Sequence, residues 1–257
     1  MSFALITGAS KGIGRAIAKE FAARKTDLLL VSRNEQLLSE LAEELKRSNN
    51  IQVFYLAIDL GQPHAAKKIF DWCTEKNFSV NVLVNNAGYG LSGAFDQYPA
   101  AQHIDLMQVN MTTPVELISL FLPQLKQQKK SYILNIGSSS AYQAMPYMGV
   151  YAASKSFVVS FTRALKFELK DENVVVTLVS PGVTTSEFNA TARIPEKGLK
   201  AADRVAMTAE EVAKIAVNSL FKEKTEVIVG FLTKLTVFMV GLMPKKLTEK
   251  ISSKFYK

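Results

Sequence analysis

Phe3-Ala4-Leu5-Ile6-Thr7-Gly8-Ala9-Ser10-Lys11-Gly12-Ile13-Gly14-Arg15-Ala16-Ile17 is the stretch on which the fold turns. A short apolar run over residues 3–7 is cut off by a glycine. From there Ile13, Ile17 and Phe21 recur at the spacing of one helix face. A helix that begins in such a turn offers free backbone N–H groups and a partial positive charge to an anion. Glycines let the backbone turn sharply and let a phosphate come close. The spacing is G-x-x-x-G-x-G, not G-x-G-x-x-G, so the strand–turn–helix setting carries the reading. Gly8, Ser10, Lys11, Gly12, Ile13 and Gly14 are the expected contacts to a dinucleotide pyrophosphate.

The alternation continues outward. Residues 28–31 read as a second buried strand, and Asn34 can cap a helix with the apolar stripe Leu37, Leu38, Leu41 and Leu45. Residues 51–58 form a third strand ending at Asp59, and a helix follows over 65–76. Residues 80–84 form a fourth strand, closed by Asn85-Asn86-Ala87-Gly88. Two helical segments, 101–110 and 114–128, come next, and Pro123 should bend the second. Strands are expected at 132–136, 174–179 and 227–229, with helices at 151–170 and 209–223 between them. Buried-type strands separated by amphipathic helices call for a parallel sheet covered on both faces. The expectation is a single-domain α/β fold: a Rossmann-type doubly wound sheet of about seven parallel strands in the order 3-2-1-4-5-6-7, with ligands at their carboxyl ends. Residues 1–230 would form that domain, including a substrate loop at 183–208, and 231–257 an extension.

Composition fits this picture. The 257 residues are 48% hydrophobic and 21% charged, enough for a sizeable core in a soluble chain. The net charge of +8 is widely spread, and no zinc-finger spacing or aromatic RNA-binding signature accompanies it, so no nucleic acid and no metal is expected. Cys73 is the one cysteine, which rules out an intrachain disulfide and points to the cytoplasm. It sits beside Trp72 in a helical pattern and reads as packing. Residues 1–6 read as the first strand, not as a secretory leader, and no run reaches the roughly 18 apolar residues of a spanning helix.

The second strand decides the nucleotide. An acid near its end would hold a ribose 2′-hydroxyl. Here the strand ends Val31-Ser32-Arg33, and Asp27 stands at its opposite end. Arg33 and Lys11 could grip a 2′-phosphate instead, so NADP(H) is favoured over NAD(H). Asp59, followed by Leu60, is positioned for the adenine amino group.

Tyr151-Ala152-Ala153-Ser154-Lys155 places a phenol and an ammonium on one helix face, at i and i+4. A phenol near pKa 10 is a poor acid–base group until a neighbouring cation favours its phenolate. Ile136-Gly137-Ser138-Ser139-Ser140 sits at the carboxyl end of the fifth strand, where a serine can hydrogen-bond a substrate oxygen.

Together these residues resemble the short-chain dehydrogenase/reductase family, over about residues 3–230. T-G-x-x-x-G-x-G is Thr7 to Gly14 and N-N-A-G is Asn85 to Gly88. Asn110 matches the family's catalytic asparagine. Ser138 precedes Tyr151 by 13 residues, and Y-x-x-x-K is Tyr151 to Lys155. Pro181-Gly182 follows the sixth strand, and Ser186 stands where the family often has threonine. The resemblance implies that Tyr151 exchanges a proton with the substrate oxygen and that Ser138 orients that oxygen. Lys155 would lower the tyrosine pKa and hold the nicotinamide ribose. Asn110 would position a water linking Lys155 to solvent, with Ser139 and Ser140 structural. Asn86, Ala87, Gly88, Tyr151, Lys155, Pro181, Gly182, Val183 and Ser186 would line the cofactor. A homodimer or homotetramer through the helices at 114–128 and 151–170 is implied as well.

The substrate is expected among Tyr89, Leu91, Tyr142, Met145, Tyr147, Met148, Phe188 and Ile194, an apolar and adaptable lining. That suits a small-molecule ketone, aldehyde or acyl-chain carbonyl, or the matching alcohol. The competing reading is a non-catalytic NADP(H)-binding regulator, which would typically have lost the Tyr–Lys pair. Residues 231–243 are very apolar, interrupted by Lys234. Beyond Pro244, Leu247, Ile251 and Phe255 alternate with lysines as a basic amphipathic helix. That tail is expected to pack over the pocket or a partner subunit, or to touch a membrane surface.

Overall fold

The structure, a computed structural model, describes residues 2–185, 188–196 and 206–256. Its main sheet is built from β1 (Phe3–Thr7), β2 (Asp27–Ser32), β3 (Val53–Ala57), β4 (Val80–Asn85), β5 (Ser131–Ile136), β6 (Val174–Ser180) and β9 (Glu226–Ile228). The order is β3-β2-β1-β4-β5-β6-β9, all parallel, as expected from the alternating pattern. The last strand is the ninth in chain order because two two-residue strands intervene. These are β7 (Thr184–Thr185) and β8 (Met207–Thr208), which pair only with each other. Two residues carry no readable period, so the sequence gives no sign of them.

The central strands are buried on both faces because helices cover both. On one side lie α1 (Gly12–Ala23), α2 (Glu35–Asn49) and α8 (Ala209–Phe221), packed through Ile17, Phe21, Leu38, Leu41 and Val217. On the other lie α3 (Ala65–Glu75), α5 (Thr113–Gln127) and α6 (Gly149–Glu168), packed through Ile69, Leu117, Phe121 and Leu165. Asn34 caps α2 as anticipated, its side chain accepting from Leu37 N at 2.9 Å. Thr208 and Glu211 form a reciprocal capping box on α8. Pro123 lies inside α5, which runs on to Gln127. Cys73 is buried in the second layer, and burial pushes its thiol up to about 12, which leaves it a packing group.

α4 (Ala100–Met107) passes into α5 through one π-helical turn, Gln108–Thr112. Residues 188–191 form the short helix α7. The tail is helical: α9 (Phe231–Leu242) and α10 (Lys245–Tyr256) meet at Met243-Pro244. Among the described residues no helix is long and apolar enough to cross a membrane.

Candidate active site

A cavity of about 860 Å³ opens at the carboxyl ends of β1, β2, β4, β5 and β6. Its floor is the glycine turn. Gly8 has φ +66°, and a Cβ there would lie 2.9 Å from Ala87 Cα. A Cβ on Gly14 would lie 2.2 Å from Gly8 O. Only glycine lets the turn close this tightly over the start of α1. The turn is tied to the end of β4 as well. Thr7 Oγ1 accepts from Asn86 N and Ala87 N at 3.1 Å each, and Asn86 Nδ2 donates to Thr7 O at 2.9 Å. Ser10, Lys11, Gly12, Ile13, Asn86, Ala87 and Gly88 line the cavity beside it.

Arg33, Asp59 and Leu60 line one end. Arg33 is exposed and makes no hydrogen bond or ion pair to any described residue. No carboxylate stands at the end of β2. Ser32 Oγ, at the cavity edge, is buried without a partner. Asp59 accepts from Gly61 N at 3.0 Å through Oδ1, so it both shapes the turn and faces the cavity. A guanidinium paired with no described residue, an orphaned hydroxyl and a backbone cradle fit a dinucleotide.

At the other end α6 presents Tyr151 and Lys155, 8% and 5% exposed. Ser138 caps a 3₁₀ turn, Ser139–Tyr142, its hydroxyl accepting from Ser140 N at 3.1 Å and from Ser140 Oγ at 2.9 Å. The Tyr151 phenol lies within electrostatic reach of both serine hydroxyls. Ser140, read as structural in the sequence, thus joins the polar cluster. A 3₁₀ turn brings i and i+2 together there, and three adjacent serines conceal which two converge. Lys155 Nζ donates to Ile136 O at 3.0 Å, and burial pushes its ammonium down to about 8. Burial pushes Tyr151 up to about 12, and the serine hydroxyls pull the other way. The phenol thus answers first to burial and then to the two serines.

Asn110 sits in the π-helical turn and is 1% exposed. The turn's extra residue interrupts the helix and lets Asn110 face inward, a common use of π turns at functional sites. Its Oδ1 accepts from Tyr89 N at 3.1 Å, and its Nδ2 lies 3.0 Å from both Tyr89 O and Ser154 Oγ. A Cβ on Gly88 would lie 3.0 Å from Asn110 Oδ1 and 3.3 Å from Lys155 Nζ, so the two side chains face one point.

Pro181, Gly182, Val183, Met145, Met148, Phe188 and Ile194 line the rest, and the Phe188 ring lies 5.3 Å from that of Tyr151. Two substrate-side expectations need correction. Tyr147 does not line the cavity. Its φ of +67° and its carbonyl, which accepts from Gly93 N at 2.8 Å, hold it outside. Leu91 likewise packs against the cluster around Met148 without lining the cavity. Tyr89 lines the cavity as expected and packs against the cluster that holds Tyr151 and Met148, with its hydroxyl donating to Asp105. Tyr142 also lines the cavity, with its hydroxyl held by Glu226 at 2.6 Å and Ser180 at 3.1 Å. Ser186 and part of the 183–208 loop lie outside the described residues.

The sequence left the tail's place open between the pocket, a partner subunit and a membrane, and named none of its residues as lining the site. Leu232, Thr233, Thr236, Val237 and Val240 of α9, and Tyr256 of α10, line the same cavity. The apolar run at 231–243 was the available signal, but periodicity alone does not say what a helix covers.

The sequence model described as short chain dehydrogenase matches residues 2–197. The very-long-chain 3-oxoacyl-CoA reductase of Kluyveromyces lactis is 33% identical over 199 residues, 75% of this chain. The chain spans 58% of that relative's length. The sulfoacetaldehyde reductase 2 of Chromohalobacter salexigens is 34% identical over 221 residues, covering 82% of this chain and 85% of the relative. Among solved structures, a short-chain dehydrogenase from Sphingobium yanoikuyae in complex with NADPH aligns with a TM-score of 0.82 and 29% identity. That alignment covers 95% of each chain.

Proposed function

Because this chain belongs to the short-chain dehydrogenase family, and is thus an oxidoreductase with a nicotinamide cofactor, we propose that it is an NADP(H)-dependent reductase of apolar ketones, aldehydes or 3-oxoacyl-type carbonyls. One observation carries this reading: Tyr151, Ser138 and Lys155 converge at one end of a cavity, Asn110 stands with Lys155 against Gly88 in its wall, and the other end holds an arginine paired with no described residue. When bound, the nicotinamide supplies or accepts the hydride. Tyr151 donates its proton to the carbonyl oxygen, and the Ser138 and Ser140 hydroxyls hold that oxygen as charge builds on it. Lys155 keeps a positive charge beside the ribose position, and Asn110 lies on the proton's way out. Met145, Met148, Phe188 and Val240 exclude water around an apolar substrate body. Titration with NADPH and NADH, followed by nucleotide fluorescence, tests the cofactor side. Tight NADPH and weak NADH binding is expected, and preferred NADH binding would overturn it.

The pH profile follows from the two buried groups. Reduction needs Tyr151 protonated and Lys155 charged. With Tyr151 pushed up to about 12 and Lys155 pushed down to about 8, both conditions hold at neutral pH. The kcat/KM for reduction should be flat below about 8 and fall as the pH rises through it, as Lys155 loses its proton. Oxidation, which needs the phenolate, should gain with pH instead. A reductive profile that climbs through that range would contradict these roles.

A second part of the reading concerns location and assembly. We read the protein as cytoplasmic, with its tail touching a membrane surface. Phe231, Leu235, Phe238, Leu242, Leu247 and Ile251 are exposed on α9 and α10, and exposed Lys234, Lys245, Lys246, Lys250 and Lys254 accompany them. Apolar side chains rimmed by lysines suit anionic lipid. Because α9 also walls the cavity, point variants are preferable to truncation. The full chain should co-sediment with phosphatidylcholine–phosphatidylglycerol vesicles in a salt-sensitive way. The double variant Phe231→Ser/Phe238→Ser should bind them about tenfold less. Equal binding would remove the membrane from the account. A homodimer or homotetramer through α5 and α6 is supported by Phe167, 71% exposed on α6, and analytical ultracentrifugation would test it.

A further inference from the structure

The matched family region ends at residue 197, yet the cavity continues onto side chains well beyond it. α9 supplies Leu232, Val237 and Val240, which extend the apolar wall begun by Met145, Met148 and Phe188. Tyr256, in the last turn of α10, is different in kind. Its ring packs against the buried cluster of Leu106, Met145, Met148 and Tyr151. It lines the cavity on the side of the catalytic tyrosine, close enough that the two phenols affect each other's charge. Its hydroxyl makes no hydrogen bond to any other described residue. Tyr89 and Tyr142, the other two phenols of the lining besides Tyr151, spend their hydroxyls on Asp105 and Glu226. Buried phenols usually find a partner. Tyr256 is half-buried, and no described residue takes its hydroxyl, which faces the cavity and is open to what the cavity holds.

We propose that Tyr256 is a specificity-determining residue that hydrogen-bonds a second oxygen of the substrate, beside the carbonyl that Tyr151 and Ser138 hold. The proposal rests on the reductase reading and narrows its substrate class. The substrate has an apolar body and carries two oxygen functions a few bonds apart, as a 3-oxo ester or thioester does. One oxygen is reduced at Tyr151; the other is read by a residue outside the matched family region. A site that hydrogen-bonds a substrate group discriminates against the analogue lacking it, because its own polar group is then left unpaired.

The test uses the full chain and two probes with the same aryl ketone: acetophenone, and ethyl benzoylacetate, which adds an ester oxygen. Wild type should prefer the keto ester. Tyr256→Phe should raise KM for the keto ester about tenfold, as expected for one lost hydrogen bond, with kcat unchanged. Acetophenone, which lacks the second oxygen, should lose far less than the keto ester. A similar change for both probes would make Tyr256 a packing residue and overturn the proposal, as would no change for either. A readout without turnover separates this from the reductase reading. Calorimetric binding of each probe to the protein–NADP⁺ complex should show the keto ester bound more tightly by wild type than by Tyr256→Phe. Absence of that preference defeats the proposal. Intact preference with no reduction of either probe defeats the reductase reading instead.

Discussion

Replacing Tyr151 with phenylalanine should lower kcat for carbonyl reduction by about 100- to 10,000-fold, the usual worth of a positioned acid–base group. The change removes one oxygen and leaves the ring where it is. Tyr151 is buried, packs against Phe188 and shares a cluster with Met145 and Met148. None of those contacts needs the hydroxyl. The hydroxyls of Ser138 and Ser140 keep each other at 2.9 Å. The stability cost should therefore stay near 1 kcal/mol. NADPH affinity should be nearly unchanged, since the turn formed by Gly8 to Gly14 and the guanidinium of Arg33 are untouched. Stopped-flow reduction under single turnover, beside a fluorescence titration, separates the two quantities. A loss of kcat below about tenfold would remove Tyr151 from the proton-transfer role.

Arg33→Asp should reverse the nucleotide preference. A charge-assisted hydrogen bond to a phosphate contributes about 1.5–3 kcal/mol, so NADPH affinity should fall by about 10- to 100-fold. The new carboxylate adds repulsion against the 2′-phosphate and can accept from a 2′-hydroxyl, so NADH should gain. Arg33 is exposed and bound to no described residue, which makes the substitution harmless to the fold. Lys11 lies on the same cavity wall, and its loss should couple with that of Arg33, because the two would share one phosphate. An unchanged ratio of NADPH to NADH affinity in Arg33→Asp would mean that the phosphate is held elsewhere or not at all.

What the sequence makes legible follows from what its patterns encode. The sheet order could be read because each central strand is buried on both faces and each intervening helix shows one apolar stripe, as Ile17 and Phe21 do on α1. The glycine turn could be read because Gly8 and Gly14 occupy places where a Cβ has no room. Tyr151 and Lys155 share a face by helical spacing alone. Groups whose direction depends on tertiary packing could not be read. Tyr147 and Leu91 both look substrate-facing in one dimension. The first is held outside by a left-handed backbone, and the second packs against the cluster around Met148 without reaching the cavity. Ser140 could not be told from Ser139 before the 3₁₀ turn was known. Tyr256 follows Tyr151 by 105 positions and reaches its chamber only because α9 and α10 fold back over the cavity.

The central claim is that this cavity transfers a hydride. The most direct measurement incubates the protein with NADPH deuterated at the transferring C4 position and with ethyl benzoylacetate, and analyses the product by mass spectrometry and chiral chromatography. The account predicts deuterium on the carbinol carbon, in one enantiomer, and none in the Tyr151→Phe product within the same time. NADPH that binds tightly yet passes no deuterium to the keto ester, to simple aryl ketones or to aldehydes would contradict it, and would make the protein a nucleotide-binding regulator without turnover.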